Sequence, residues 1–195
     1  MLKKLLLIAA LGASLFAQHD ASLNINSDDV EVQGNIDLGM MNETGGYDTH
    51  FLTLGLLDVD NRESTDPLLS AGFKIRQDVM ALEGLRFGLG VKGTYTKVGR
   101  STHAAVPIGV EAVYTLPLDT GIPIVVTAAI DYAPSVLNFK DADSYMEKRL
   151  EVGVKIIEQA TIYLGYRNID TDFENTQGGD YEYNDEVYIG FRVQF

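Results

Sequence analysis

The segment Glu186-Val187-Tyr188-Ile189-Gly190-Phe191-Arg192-Val193-Gln194-Phe195 alternates without interruption between apolar and polar or small residues. Successive side chains of a strand point to opposite faces, so Val187, Ile189, Phe191, Val193 and Phe195 form one apolar row. A water-exposed edge strand carrying that row would pair with other chains. A strand that turns one face to lipid needs the row. The alternation therefore predicts an all-β chain, an antiparallel up-and-down transmembrane β-barrel closed by this strand. The ending also resembles the C-terminal strand through which the barrel-assembly machinery engages outer-membrane proteins.

The start of the chain is compatible with that destination. Lys3 and Lys4 precede an apolar stretch from Leu5 to about Phe16, and Ala17 offers a small residue for cleavage before Gln18. This layout predicts a signal peptide over residues 1–17 and a barrel domain over 18–195. The apolar run is shorter than the ~20 residues of a spanning helix. The chain has no cysteine, which excludes a lipid-modified cysteine, disulfides and thiolate metal sites.

Period-two alternation recurs at residues 30–38, 69–76, 85–95, 104–117, 122–132, 146–156, 161–169 and 186–195, with an ambiguous segment at 48–59 that is apolar on both faces. These nine segments need a tenth, because a single-chain bacterial barrel with both ends on one side has an even strand number. The tenth is assigned to Ala21–Asn26, turning at Ser27-Asp28-Asp29. Eight to ten strands are compatible with the sequence, and ten is favoured. Counting back from Phe195 puts the turns at Asp119-Thr120-Gly121 and Glu158-Gln159 in the periplasm. The connections 60–67, 98–103, 133–143 and 170–184 become outer loops.

Setting Lys3 and Lys4 aside leaves 13 basic residues against 28 acidic ones. Such a balance excludes nucleic acid as a partner. The polar rows are nearly neutral: Lys74, Arg76, Arg86, Lys92, Arg149, Lys155, Arg167 and Arg192 face Glu31, Asp37, Glu111, Asp131, Glu147, Glu151 and Glu186. A narrow lumen requires such neutrality, because unpaired charges lose hydration there. A structural ion-pair network is favoured over a solute-selecting constriction, since a barrel of this size scarcely holds a permanent pore. Tyr95, Tyr132 and Tyr166 on the apolar rows mark one membrane interface, and Tyr114 and Phe195 the other. Alternation alone also fits an inverted, soluble barrel with an apolar cavity.

Tyr132-Ala133-Pro134-Ser135-Val136-Leu137-Asn138-Phe139, then Tyr145-Met146-Glu147 and Gly165-Tyr166-Arg167-Asn168-Ile169, resemble the YfaZ family, as does Gly88-Leu89-Gly90-Val91-Lys92-Gly93. The resemblance implies an outer-membrane barrel and brings no catalytic residues.

Other candidates are weak. Asp58, Asp60, Glu63 and Asp66 gather on one outer loop, but Glu63 stands where a calcium loop of the EF-hand kind needs glycine. Bridging to lipopolysaccharide through Mg²⁺ or Ca²⁺ is an expectation for this loop and for residues 170–185. His19, His50 and His103 have no metal-ligand spacing. Ser101 and His103 lack an orienting acid for hydrolysis. Asn138–Asp141 is expected to form a short helix over the barrel mouth. Together these features predict a monomeric, non-enzymatic, cofactor-free barrel in the outer membrane of a Gram-negative bacterium. It is structural or porin-like with restricted permeability; the alternative is a barrel whose loops bind a ligand, divalent cations or lipopolysaccharide.

Overall fold

The computed structural model describes residues 19–38, 48–60, 66–99, 101–116, 122–173 and 180–195. The expected leader at 1–17, Glu63 and the expected Asp119-Thr120-Gly121 turn lie outside the described residues. The strands are β1 (Asp20–Ile25), β2 (Asp29–Asp37), β3 (Asp48–Val59), β4 (Leu68–Asp78), β5 (Leu85–Val98), β6 (Ser101–Ala105), β7 (Ile108–Leu116), β8 (Ile124–Ala133), β9 (Asn138–Lys140), β10 (Ala142–Ile157), β11 (Ala160–Phe173) and β12 (Asp180–Gln194).

Ten of these make a closed antiparallel wall, in the order β4-β3-β2-β1-β12-β11-β10-β8-β7-β5, with β4 and β5 completing the circle. β6 continues the line of β7 beyond Val106-Pro107 and pairs with the upper part of β5, while β9 adds to β6. β1 is the tenth strand, paired with β12 from Asp20↔Gln194 to Ile25↔Ile189. At the seam, the backbone N–H groups of His19 and Phe195 each donate to the other's carbonyl at 2.9 Å. The ambiguous segment is a wall strand: Phe51 and Leu57 of β3 are buried inside while Leu52 and Leu54 are exposed outside.

Exposure decides between the two barrels that alternation allowed. Leu164 and Ile189 are 58% and 64% exposed on the outside, whereas Arg167 and Glu151 are 1% and 3% exposed within. Leu89, Ile108, Val110, Ile130, Leu150 and Val152 continue the exposed apolar row around the wall. Soluble monomers do not display so large an apolar surface, and lipid accounts for it. Among the described residues no helix is long and apolar enough to cross a membrane; the strands do so.

Two expected outer loops are largely strand. β11 runs to Phe173 and β12 starts at Asp180, so much of 170–184 is a paired ladder, and 98–103 is a tight hairpin between β5 and β6. The reason is a change of chemistry along one strand. In the lower part of β11, Ile162, Leu164 and Tyr166 face out and Tyr163 and Arg167 face in; above Asn168, Asp170 and Asp172 take the outer row and Ile169 and Phe173 the inner row. The strand has left the bilayer. Its outer face meets water, and its inner face needs an apolar core. A bulge opposite Ile169 and Asp170 leaves Tyr183 without a register partner and turns it inward.

That core caps the barrel. Leu57, Leu68, Val98, Ala105, Ala133, Ala142, Tyr145, Ile169, Phe173 and Tyr183 are buried together, with Leu137 packed against them. Tyr183 donates from its hydroxyl to the backbone oxygen of Asp66 at 3.1 Å, which ties β12 to the chain entering β4. The expected short helix lies earlier than the sequence suggested. It is a single 3-10 turn at Ser135–Leu137, and Asn138–Lys140 is strand β9. Asn138 accounts for the difference: its side-chain amide donates to the carbonyls of Ala133, Pro134 and Asp143, which holds the chain folded onto the mouth.

Candidate functional site

The candidate site is the lumen below the cap, where inward positions on well-separated strands converge. Glu31 of β2 is its centre. Arg149 of β10 grips it with two hydrogen bonds, Nη1 to Oε2 at 2.9 Å and Nη2 to Oε1 at 2.8 Å. Arg167 of β11 donates to Oε2 at 2.6 Å, while Asn24 and Gln33 donate from the flanks at 2.6 and 2.7 Å. β2 and β10 are four strands apart around a ten-stranded wall, so the Arg149–Glu31 pair reaches nearly across the barrel. The paired fork geometry fixes direction as well as charge.

From this centre the network spreads to the remaining walls. Glu147 joins Arg149 at 3.0 Å and Lys92 of β5 at 2.6 Å, and Lys92 also meets Asp131 of β8 at 2.9 Å. Glu151 pairs with Arg192 at 2.8 Å and lies 3.8 Å from Arg149. Glu111 forms a separate group, held by Lys74 at 2.8 Å and Arg76 at 2.5 Å. Arg86, Lys155 and Glu186 face inward but belong to none of these pairs.

Sequence reasoning left out the tyrosines. Tyr145 donates to Glu147 and Tyr188 to Glu151, each at 2.9 Å, and Tyr163 donates to Asn24 at 2.5 Å. The Arg149 and Arg167 guanidiniums lie 5.9 and 5.4 Å from the Tyr188 ring centre, and Arg192 lies 4.7 Å from that of Tyr163. Two glycines make this possible. A Cβ on Gly165 would enter the Tyr188 ring, and one on Gly190 would enter the Tyr163 ring and Asn24. Inward glycines facing inward tyrosines on neighbouring strands were the available signal.

A family model described as YfaZ precursor matches residues 2–195. The chain belongs to the YfaZ family. No curated protein matches it. Among solved structures, the YfaZ-family barrel is similar to "KdgM porin", at 9% identity and a TM-score of 0.48, over 92% of this chain and 99% of that one. It is also similar to "NanC porin structure in rhombohedral crystal form", at 10% identity and a TM-score of 0.44, again over 92% and 99%.

The described members of the weaker candidate sets are Asp58, Asp60, Asp66 and the histidines. In the YfaZ-family barrel Asp58 points outward from β3, and the Asp66 backbone oxygen accepts from Thr96 and Tyr183. Among the described residues no group of three or more His, Cys, Asp or Glu side chains could hold a metal ion. His19 accepts the Asp37 backbone N–H at 3.1 Å and packs edge-on against Phe195. His103 is 1% exposed beneath the cap, its Nε2 sharing a 3.0 Å hydrogen bond with Thr94 and its Nδ1 having no partner.

His103 carries a pH prediction. It stands outside the bilayer, since Lys97 and Thr102 form the outer surface beside it on β5 and β6. Burial holds its imidazole down at about 4, against an ordinary 6.5. The unfolded chain therefore takes up this proton first, and the folded barrel loses stability as pH falls from 6.5 to about 4. This contribution is constant above that window. Unfolding followed from pH 7.5 to 4 in detergent should show a shallower acid loss for His103→Gln than for the native chain.

Proposed function

We propose that this protein is an outer-membrane barrel of a Gram-negative envelope whose lumen is closed to solutes in the conformation described. The bidentate Arg149–Glu31 bridge carries this reading, because it joins nearly opposite walls at mid-lumen. Lys92 and Glu147 extend that bridge to β5, so three separated points of the wall are tied through one network. Above it, the apolar cap closes the mouth a second time. The protein contributes a rigid, salt-bridged wall element with restricted permeability. Export through the 1–17 leader and insertion through the Val187–Phe195 row by the assembly machinery belong to the same proposal, as does a monomer embedded in lipid and lipopolysaccharide.

The purified barrel in planar bilayers should give no steady conductance steps. Liposomes containing it should admit a small sugar no faster than protein-free liposomes. Uniform, ion-selective steps from the native chain would overturn closure and make the charged layer a constriction.

A further inference from the structure

The mouth of the barrel is covered by a flap made of β6, the 3-10 turn at Ser135–Leu137 and β9. β6 adds to the upper part of β5 through five residue pairs, and β9 adds to β6 through three. Gly99, with a φ of 57°, turns β5 into β6, and Lys140, with a φ of 70°, turns β9 into β10. Within the flap, the Val106 N–H donates to the Leu137 carbonyl at 2.8 Å and the Thr102 N–H to the Asp141 carboxylate at 2.8 Å.

His103 is the inward side chain at the middle of β6. Its ring lies 5.1 Å from the Tyr145 ring of β10, centre to centre, so it forms a contact between flap and wall. Thr94 Oγ1 donates to the Ala105 carbonyl at 3.4 Å, which leaves its oxygen to accept from Nε2–H at 3.0 Å. The neutral ring then presents a bare Nδ1 that meets no partner. Protonation would place a second donor there, buried and without an acceptor.

The surrounding groups are otherwise engaged. Thr94 and Thr96 face His103 from β5, with Lys92 further down, and Tyr145 and then Glu147 face it from β10. Lys92 is bound to Asp131 and Glu147, and the Tyr145 hydroxyl donates to Glu147. Asp66 and Asp143 enter this layer through backbone oxygens, which accept from Thr96 and Asn138. Lys140, the register partner of His103 on β9, is exposed to water. Burial therefore governs the His103 proton, and it favours the neutral ring.

We infer that the flap is an acid-released latch: protonation of His103 breaks its contact with Tyr145 and lifts β6 and β9 while the wall below stays folded. The latch is separate from closure of the lumen, because the Arg149–Glu31 bridge lies deeper and shares no partner with His103.

Amide hydrogen exchange of the full-length barrel in neutral detergent, corrected for the intrinsic pH dependence of exchange, tests the latch. With His103 at about 4 in the closed flap and at an ordinary 6.5 in the open one, the open population of residues 101–105 and 138–141 should rise about 25-fold from pH 7.5 to pH 5. Amides of 149–165 should stay protected. His103→Gln, its folding checked by heat-dependent gel mobility, should give the flap the same protection at both pH values. If glutamine loosens the flap at every pH, His103→Leu supplies the same comparison. Equal flap protection at both pH values in the native chain, an unchanged pH response in the variants, or equal acceleration at 149–165 would each overturn the latch. So would a flap that tightens in acid, which would make Asn138 Oδ1, buried and without a donor, the acceptor of the new proton.

Discussion

Glu31→Gln is expected to destabilise the barrel by about 3–5 kcal/mol, the cost of leaving buried charge uncompensated. The substitution keeps size and shape but removes the charge that Arg149 and Arg167 share at 2.6 to 2.9 Å. Arg149 keeps Glu147 at 3.0 Å, and Arg167 keeps Asp29 at 3.4 Å, but each guanidinium loses the carboxylate it meets at shorter range, 2.8 Å and 2.6 Å, where water is scarce. The Asn24 and Gln33 amides, which now donate to Glu31, would face a side chain that also donates. Lys148→Met is the control. That lysine is exposed and 3.9 Å from Asp170, and its loss should cost less than about 1 kcal/mol. Urea unfolding in detergent, followed by heat-dependent gel mobility, measures both. Equal midpoints for the two variants would show that the Glu31 cluster does not hold the wall.

Ile169→Asp is expected to detach the cap while leaving the membrane wall folded. Ile169 is 1% exposed in the apolar cluster with Leu57, Phe173 and Tyr183. An unpaired carboxylate there costs about 3 kcal/mol or more, which exceeds the ~1.5–3 kcal/mol that burying one such side chain supplies. The cap has a cheaper response than global unfolding. β11 and β12 above the bilayer can lift away as a pair, because among the described residues β12 has no strand on its β1 side beyond Ile189. Hydrogen exchange should rise about a hundredfold at residues 169–173 and 180–184, matching about 3 kcal/mol of lost protection. Amides of 149–165 should stay protected. Uniform acceleration along β11 would mean that cap and wall unfold as one unit. Ile169→Leu should leave both regions protected.

These two variants separate the two ways the lumen is closed. Glu31 belongs to a layer whose strength is electrostatic and whose members come from β2, β5, β8, β10, β11 and β12. Ile169 belongs to a layer held by apolar contact and by the Tyr183–Asp66 hydrogen bond. Removing the cap alone leaves the mid-lumen bridge in place, so Ile169→Asp should remain non-conducting.

Much of the wall was legible because period two is a local property. Residues 85–95 or 186–195 announce which side chains share a face whatever surrounds them, and parity then demanded the strand now seen at Asp20–Ile25. The segment 48–59 was ambiguous because Phe51 and Leu57 are apolar yet face inward. Phe51 lies under the Arg76 guanidinium at 5.0 Å, and Leu57 belongs to the cap. The upper halves of β11 and β12 read as loop because Asp170, Asp172 and Glu182 resemble loop chemistry. They are the wet outer face of strands that have left lipid.

The sequence by itself determined the strand architecture, the apolar rows and a near-neutral set of polar rows, because each is written in residues two apart. Only the tertiary structure decided which row faces in, and which charges meet. Arg149 and Glu31 are 118 positions apart and touch because β2 and β10 lie nearly opposite in a closed circle. Closure also brings Tyr163 and Tyr188 over the spaces left by Gly190 and Gly165. The C-terminal row that first constrained the fold is thus the lipid face of β12. The opposite row, through Tyr188 and Arg192, helps to fill the lumen.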